Sequence, residues 1–147
     1  MNYFFDTSAL VKHFCKEKGS EVVTKIILES SNIIWISELS ILEIFSALYK
    51  KYRIGELEEE SLKNALEGIR LEIKFFRTEP LSSIIVYEAI NLLSTYAKSY
   101  NLRTLDSLQL ATFNLISEKD WIFVAADEKL CNLVNQIGYN VINPEKI

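Results

Sequence analysis

Three short segments, Asn2–Phe5, Ile33–Ile36 and Trp121–Ala126, are rich in apolar residues without a strict alternation, and stretches with helical periodicity lie between them. A strand with one wet face alternates apolar and polar residues. A strand that is apolar throughout needs cover on both faces, and that is the environment of a mainly parallel sheet flanked by helices. The pattern therefore selects an α/β architecture, and in such sheets binding sites form beyond the carboxyl ends of the strands.

The helical stretches follow from spacing and punctuation. Ser8–Lys16 reads as a short helix, and Val22, Val23, Ile26 and Ile27 recur at helical intervals. Ser37–Tyr52 reads as a helix with Leu39, Leu42, Phe45 and Leu48 on one stripe. Gly55 is a stop signal before a second helix, Glu56–Lys74, whose Leu62, Ala65, Leu66, Ile69 and Ile73 point inward. Phe75 and Phe76 read as a short strand. Pro80 suits the first turn of a helix carrying Ile85, Ala89, Leu92, Leu93 and Tyr96. Thr104–Ser117 and Glu128–Gln136 complete the helices, Gly138 ends the last of them, and Asn140–Ile142 reads as a final strand. With 147 residues, four glycines and two prolines, the chain suits one domain over 1–147 with short loops.

Four acids stand out against this framework. Asp6 follows the first strand and Asp127 follows the strand Trp121–Ala126. Glu43 shares a helix face with Leu39 and Ala47, and Asp106 shares one with Leu102, Leu110 and Phe113. An ionised carboxylate beside an apolar stripe is costly unless it is paired, hydrogen-bonded or bound to a metal. Each acid also has a local explanation: Asp6 and Asp127 as N-caps, Glu43 in a capping box with Ser40, Asp106 in the favourable first turn of a helix. Those explanations do not account for two inward-facing helix acids together with two strand-end acids on one rim.

Clustered carboxylates repel, and without a cation some must take up protons. A hard divalent cation removes the conflict and prefers oxygen ligands. The one histidine, His13, and the two separated cysteines, Cys15 and Cys131, do not make a zinc site. Mg²⁺ or Mn²⁺ held by carboxylates can activate water against a phosphodiester. Ser8, two residues after Asp6, offers a hydroxyl to the water shell of such an ion or to the local backbone.

These residues resemble the motifs of the PIN-domain family and, within it, of VapC-type toxins. Tyr3-Phe4-Phe5-Asp6-Thr7-Ser8-Ala9-Leu10-Val11-Lys12 is similar to the first motif, and Ser37-Glu38-Leu39 followed by Glu43 and Ala47 to the second. Leu102-Arg103-Thr104-Leu105-Asp106-Ser107-Leu108-Gln109-Leu110-Ala111 is similar to the third, Ala126-Asp127-Glu128-Lys129-Leu130 to the fourth, and Gly138–Pro144 to the closing strand. The fourth motif departs from the family pattern at Ala125, where Thr or Ser is common. The resemblance implies a three-layer α/β/α PIN-like domain with a central, mainly parallel sheet. It also implies a Mg²⁺- or Mn²⁺-dependent endoribonuclease that is the dimeric toxin of a toxin–antitoxin pair, with RNA as substrate and a cognate antitoxin as inhibitor. Asp6, Glu43, Asp106 and Asp127 would then form the catalytic set, with Asp6 and Asp106 as metal ligands and Ser8 and Arg103 as possible support.

The remaining features bound this expectation. A formal net charge of −4 excludes a protein that coats nucleic acid nonspecifically, so RNA would meet local cations. Lys12, Lys16, Lys18, Arg103 and the group Lys50, Lys51 and Arg53 are the candidates, while Trp35, Tyr49 and Tyr52 offer stacking faces that more often serve packing. No apolar run approaches the ~20 residues of a membrane span. The start of the chain has no basic region ahead of an apolar stretch, and the sparse cysteines suit a reducing cytoplasm. Two other readings remain open at this level: a Mg²⁺-dependent phosphoryl-handling protein such as a phosphatase or receiver, and a non-catalytic PIN-like binding module.

Overall fold

The computed structural model describes residues 1–147. Five strands, β1 (Asn2–Phe5), β2 (Ile33–Ser37), β3 (Arg77–Glu79), β4 (Ile122–Val124) and β5 (Asn140–Ile142), form one sheet in the order β3-β2-β1-β4-β5, and every pairing is parallel. Seven α-helices connect them: α1 (Thr7–Phe14), α2 (Ser20–Leu28), α3 (Glu38–Arg53), α4 (Glu59–Glu72), α5 (Ser83–Tyr96), α6 (Thr104–Ile116) and α7 (Glu128–Ile137). A single 3-10 turn, Ile73–Phe75, extends α4.

Neighbouring residues of the central strand explain the two helix layers. Phe4 of β1 joins Ala89, Leu92, Leu110, Phe113, Leu133 and Val134 in a core under α5, α6 and α7. Phe5 faces the other way, with Ala9, Val23, Ile44, Leu48, Leu62 and Ile69 under α1 to α4. Phe123 and Val124 of β4 divide in the same manner. Successive strand residues point to opposite faces, so an unbroken apolar run is what a sheet covered on both sides demands. The central position of β1 has a second consequence. The connections run outward from it in two directions, to β2 and β3 on one side and to β4 and β5 on the other. The carboxyl ends of β1 and β4 thus flank the point where the strand order reverses, the place where such sheets hold ligands.

Several local expectations need correction. Phe75 and Phe76 are not a strand: the 3-10 turn carries the chain past them, and pairing with β2 begins at Arg77, opposite Trp35. β3 is a polar edge strand, which apolar patterning cannot reveal. Pro80 lies ahead of α5, whose N-cap is Ser82. Leu42 is 71% exposed, and α3 buries Leu39, Ser40, Ile44 and Leu48 instead. Positions three apart drift around a helix of 3.6 residues per turn, so the stripe turns away from Leu42. Gly55 and Gly138 adopt positive φ (82° and 104°) after α3 and α7, as their stop signals require.

Candidate active site

The site begins where β1 ends. The backbone N–H of Asp6 donates to Val124 O at 2.9 Å, which joins the ends of β1 and β4. Asp6 then serves as N-cap of α1. Its Oδ2 accepts from the Ser8 N–H at 3.2 Å and from the Ser8 hydroxyl at 2.6 Å. Ser8 Oγ in turn accepts from the Ala126 N–H at 3.0 Å. The hydroxyl therefore fastens the first acid to the loop that carries the fourth. It fills a bridging place near the departure at Ala125, whose carbonyl accepts from the Cys131 thiol.

Asp6 is only 6% exposed, and its pKa rises from 3.8 to about 6. Burial is the main cause. The two bonds from Ser8 oppose it, while the negative charges of Glu43 and Asp106 add to it. The acid field extends further: burial first, then Asp127 and Asp6, push the Cys131 thiol up to about 12.

Glu43 arrives from the body of α3. It is not a capping residue, because Ser37 is the N-cap, with its hydroxyl accepting from the Leu39 N–H at 3.1 Å. Glu43 Oε1 accepts from Thr7 Oγ1 at 3.0 Å and from Gln109 Nε2 at 2.9 Å. Gln109 Nε2 also lies 2.8 Å from Ser40 Oγ and 3.2 Å from Thr7 Oγ1. This buried amide ties α1, α3 and α6 together beneath the acids. Its Oε1 has no partner. The amide nitrogen must face Glu43, since only a donor can meet a carboxylate there.

Asp106 lies in the first turn of α6 and Asp127 caps α7, accepting from the Leu130 N–H at 2.9 Å. Arg103 stands between them. Its Nε donates to Asp106 Oδ2 at 3.1 Å, and its Nη2 lies 3.6 Å from Asp127 Oδ2. All four acids border one cleft of about 480 Å³, together with Thr7, Ser8, Ser46, Lys50, Arg103 and Leu105.

The PIN domain model of protein families matches residues 3–134. The chain belongs to the PIN domain family. Among curated proteins, no sequence matches it. Solved structures share its fold at low identity. VapC20 of Mycobacterium tuberculosis, described as a toxin that cleaves the sarcin-ricin loop, superposes with a TM-score of 0.68 at 15% identity, over 96% of this chain and 97% of that one. VapBC2 of Rickettsia felis, solved on a DNA fragment from its promoter, gives 0.68 at 15% identity, covering 97% and 98%. FitAcB of Neisseria gonorrhoeae gives 0.67 at 15% identity, covering 99% of each chain.

In this PIN domain the sequence-derived acids do gather around one cleft, but they are not poised alike. No three His, Cys, Asp or Glu side chains converge closely enough to share an ion as they stand. Asp6 is held by Ser8 and Asp106 by Arg103, each through its Oδ2. The donor set itself suits a hard cation: the acids and hydroxyls around the cleft are all oxygen donors. The pKa of Asp6 is raised first by burial and then by the charges of Glu43 and Asp106, a repulsion that a cation would relieve. The one histidine is remote and engaged, with its ring nitrogens on Thr24 and Glu72.

Other sequence candidates lie elsewhere. Lys12 is buried and bridges Glu17 and Glu145 at 2.9 and 2.7 Å, so it is unavailable to a phosphate. Lys51 pairs with Glu17 and Glu56, whereas Lys50 reaches the cleft. Trp35 packs on Trp121, with its indole N–H donating to Asn2. Sequence reasoning missed Thr7, Ser40 and Gln109 as a polar layer under the acids. One signal existed: Gln109 is an amide on an otherwise apolar helix face next to Leu110 and Phe113, and such a group needs partners.

Proposed function

We propose that this PIN domain is a metal-dependent endoribonuclease that hydrolyses RNA phosphodiester bonds and acts as the toxin of a toxin–antitoxin pair. The observation that carries the reading is the convergence of Asp6, Glu43, Asp106 and Asp127, from four separate elements, on one cleft at the carboxyl ends of β1 and β4. Family membership supports nuclease chemistry, and the toxin and toxin–antitoxin neighbours support the biological setting.

Asp6 and Asp106 would hold Mg²⁺ or Mn²⁺, with Asp127 completing the acidic rim. When bound, the ion supplies charge stabilisation for the phosphodiester and lowers the pKa of a bound water. Ser8 fixes Asp6 for that purpose and locks it to the Asp127 loop. Glu43 has both its hydrogen bonds on Oε1, from Thr7 and Gln109, which leaves Oε2 to take a proton from the attacking water.

No helix is long and apolar enough to cross a membrane, and a cytoplasmic setting is part of the proposal. A homodimer is supported by α5, where Ile84, Tyr87 and Ile90 are 68%, 68% and 51% exposed on a helix whose single charged residue is Glu88. A cognate antitoxin is the inhibitor that this setting calls for.

The test is cleavage of single-stranded RNA by purified protein in Mg²⁺ or Mn²⁺, set against EDTA and against Asp6→Asn. Loss of a ligand's supporting partner alone costs ~10–100-fold, so loss of the Asp6 charge should exceed roughly a hundredfold. Cleavage that survives EDTA, or an Asp6→Asn protein working at the normal rate, would overturn the proposal.

A further inference from the structure

Arg103 is an unusual neighbour for a site that must admit a dication. Its guanidinium contacts Asp106 at 3.1 Å and approaches Asp127 at 3.6 Å, two of the four acids at once. Yet its side chain is 66% exposed, while Asp106 is 17% and Asp127 34% exposed. Arg103 occupies the N-cap position of α6 but makes no side-chain capping bond, so the helix does not depend on where the guanidinium lies. An arginine is charged at any working pH. Exposed pairs of this kind shift an equilibrium by roughly fivefold at most, so the contact is readily exchanged.

The same cleft has a second cation, Lys50 of α3, which makes no ion pair of its own. The two differ in one respect: Arg103 touches the acids and Lys50 does not. Phosphate groups are the complementary partners of both, and the planar fork of arginine suits two phosphate oxygens at once.

We infer that Arg103 is a displaceable counter-ion of the acid cluster: it competes with the divalent ion for Asp106 and, once released, holds a phosphate of the RNA strand at the cleft. This rests on the metal-dependent reading given above and adds a residue and an order of events to it. Without an ion, the guanidinium offsets part of the repulsion among the carboxylates. An ion on Asp106 repels the guanidinium and loosens the pair. The freed fork then lies beside the acids it left, on a flexible stem one helical turn from Asp106.

The consequence is a pair of effects with opposite signs. Arg103→Gln should bind Mn²⁺ roughly two- to fivefold more tightly by calorimetry at low salt, because its competitor is gone. The same variant should raise KM for single-stranded RNA by a similar factor, with kcat at saturating Mg²⁺ nearly unchanged. Lys50→Gln should raise KM but leave Mn²⁺ affinity within about twofold, since its charge acts only through screened solvent. Arg103→Lys, which keeps the charge, should restore most of the weaker metal affinity and serves if the glutamine variant folds poorly. Equal or weaker Mn²⁺ binding by Arg103→Gln, or an unchanged KM, overturns the inference while wild-type metal binding stands. Absence of Mn²⁺ binding by the wild-type protein is a separate result, and it removes the metal-dependent reading and this inference together.

Discussion

Replacing Asp6 by asparagine should make the metal-free protein more stable while it destroys the proposed site. The magnitude follows from the carboxyl's position at the junction of β1, β4 and α1. Its pKa of about 6, against 3.8 for an ordinary carboxyl, means that ionisation costs about 3 kcal/mol more in the fold than in the unfolded chain. Asparagine removes that charge. It keeps an acceptor for Ser8, whose two bonds to the carboxylate already reduce that cost. The net gain near neutral pH is about 3 kcal/mol, or a rise of roughly 6–12 °C in Tm for a chain of this size.

The sign with pH is fixed by linkage. The folded-state pKa lies above the unfolded one, so Asp6 contributes stability that is fully present below the unfolded pKa and is lost as pH rises through about 6. The advantage of Asp6→Asn should therefore be largest above about pH 7 and about half gone at pH 5. Calorimetric melting of both proteins in EDTA at the two pH values measures this directly. Mg²⁺ should then raise the wild-type Tm and leave the variant unmoved. An Asp6→Asn protein that melts at or below the wild-type temperature near pH 7.5, or keeps its whole advantage at pH 5, would refute the assignment of buried, uncompensated charge to this carboxyl.

Other perturbations probe the supports. Gln109→Met removes the amide that holds Glu43, Ser40 and Thr7, and should cost about 1–3 kcal/mol in denaturant unfolding and lower kcat more than it raises KM. An unchanged midpoint would show that the buried amide is idle. Ile84→Asp on the exposed face of α5 should give a monomer by light scattering with the melting curve of its own core intact, if that face joins two copies. Lys12→Met leaves Glu145 without its cation and Glu17 with only Lys51, and should destabilise by about 1–3 kcal/mol. Glu17 has a lowered pKa, through its bonds to Lys51 and Lys12 against the opposing effect of burial. The stability it contributes is present above the ordinary carboxyl range and lost in acid, so the Lys12→Met deficit should shrink as pH falls through that range.

Much of the layering was legible in the residues. Phe4-Phe5 and Phe123-Val124 are consecutive apolar residues in short strands, and a chain that places such pairs in a sheet must cover both faces. The acids at strand ends were visible for the same reason: Asp6 and Asp127 break an apolar run at the point where the sheet meets solvent. The inward helix acids were visible from their neighbours. What failed was local and had a physical origin. β3 is a polar edge strand held by pairing with β2, not by apolar side chains, so its sequence carries no strand signal. Lys12 reads as a surface cation until Glu17, five residues on, and Glu145, from the far end of the chain, close around it.

The four acids mark the same boundary. Their residue types and their places on strands and helices are properties of the sequence, because local spacing decides which side of an element is apolar. Their inequality is a property of the fold alone. Packing buries Asp6, a serine two residues on ties it to the end of β4, and a glutamine from α6 orients Glu43. Arg103, paired with Asp106 within one turn of α6, reaches Asp127 only because α6 and α7 begin side by side. Those relations depend on distances between segments far apart in the chain, and periodicity holds no information about them.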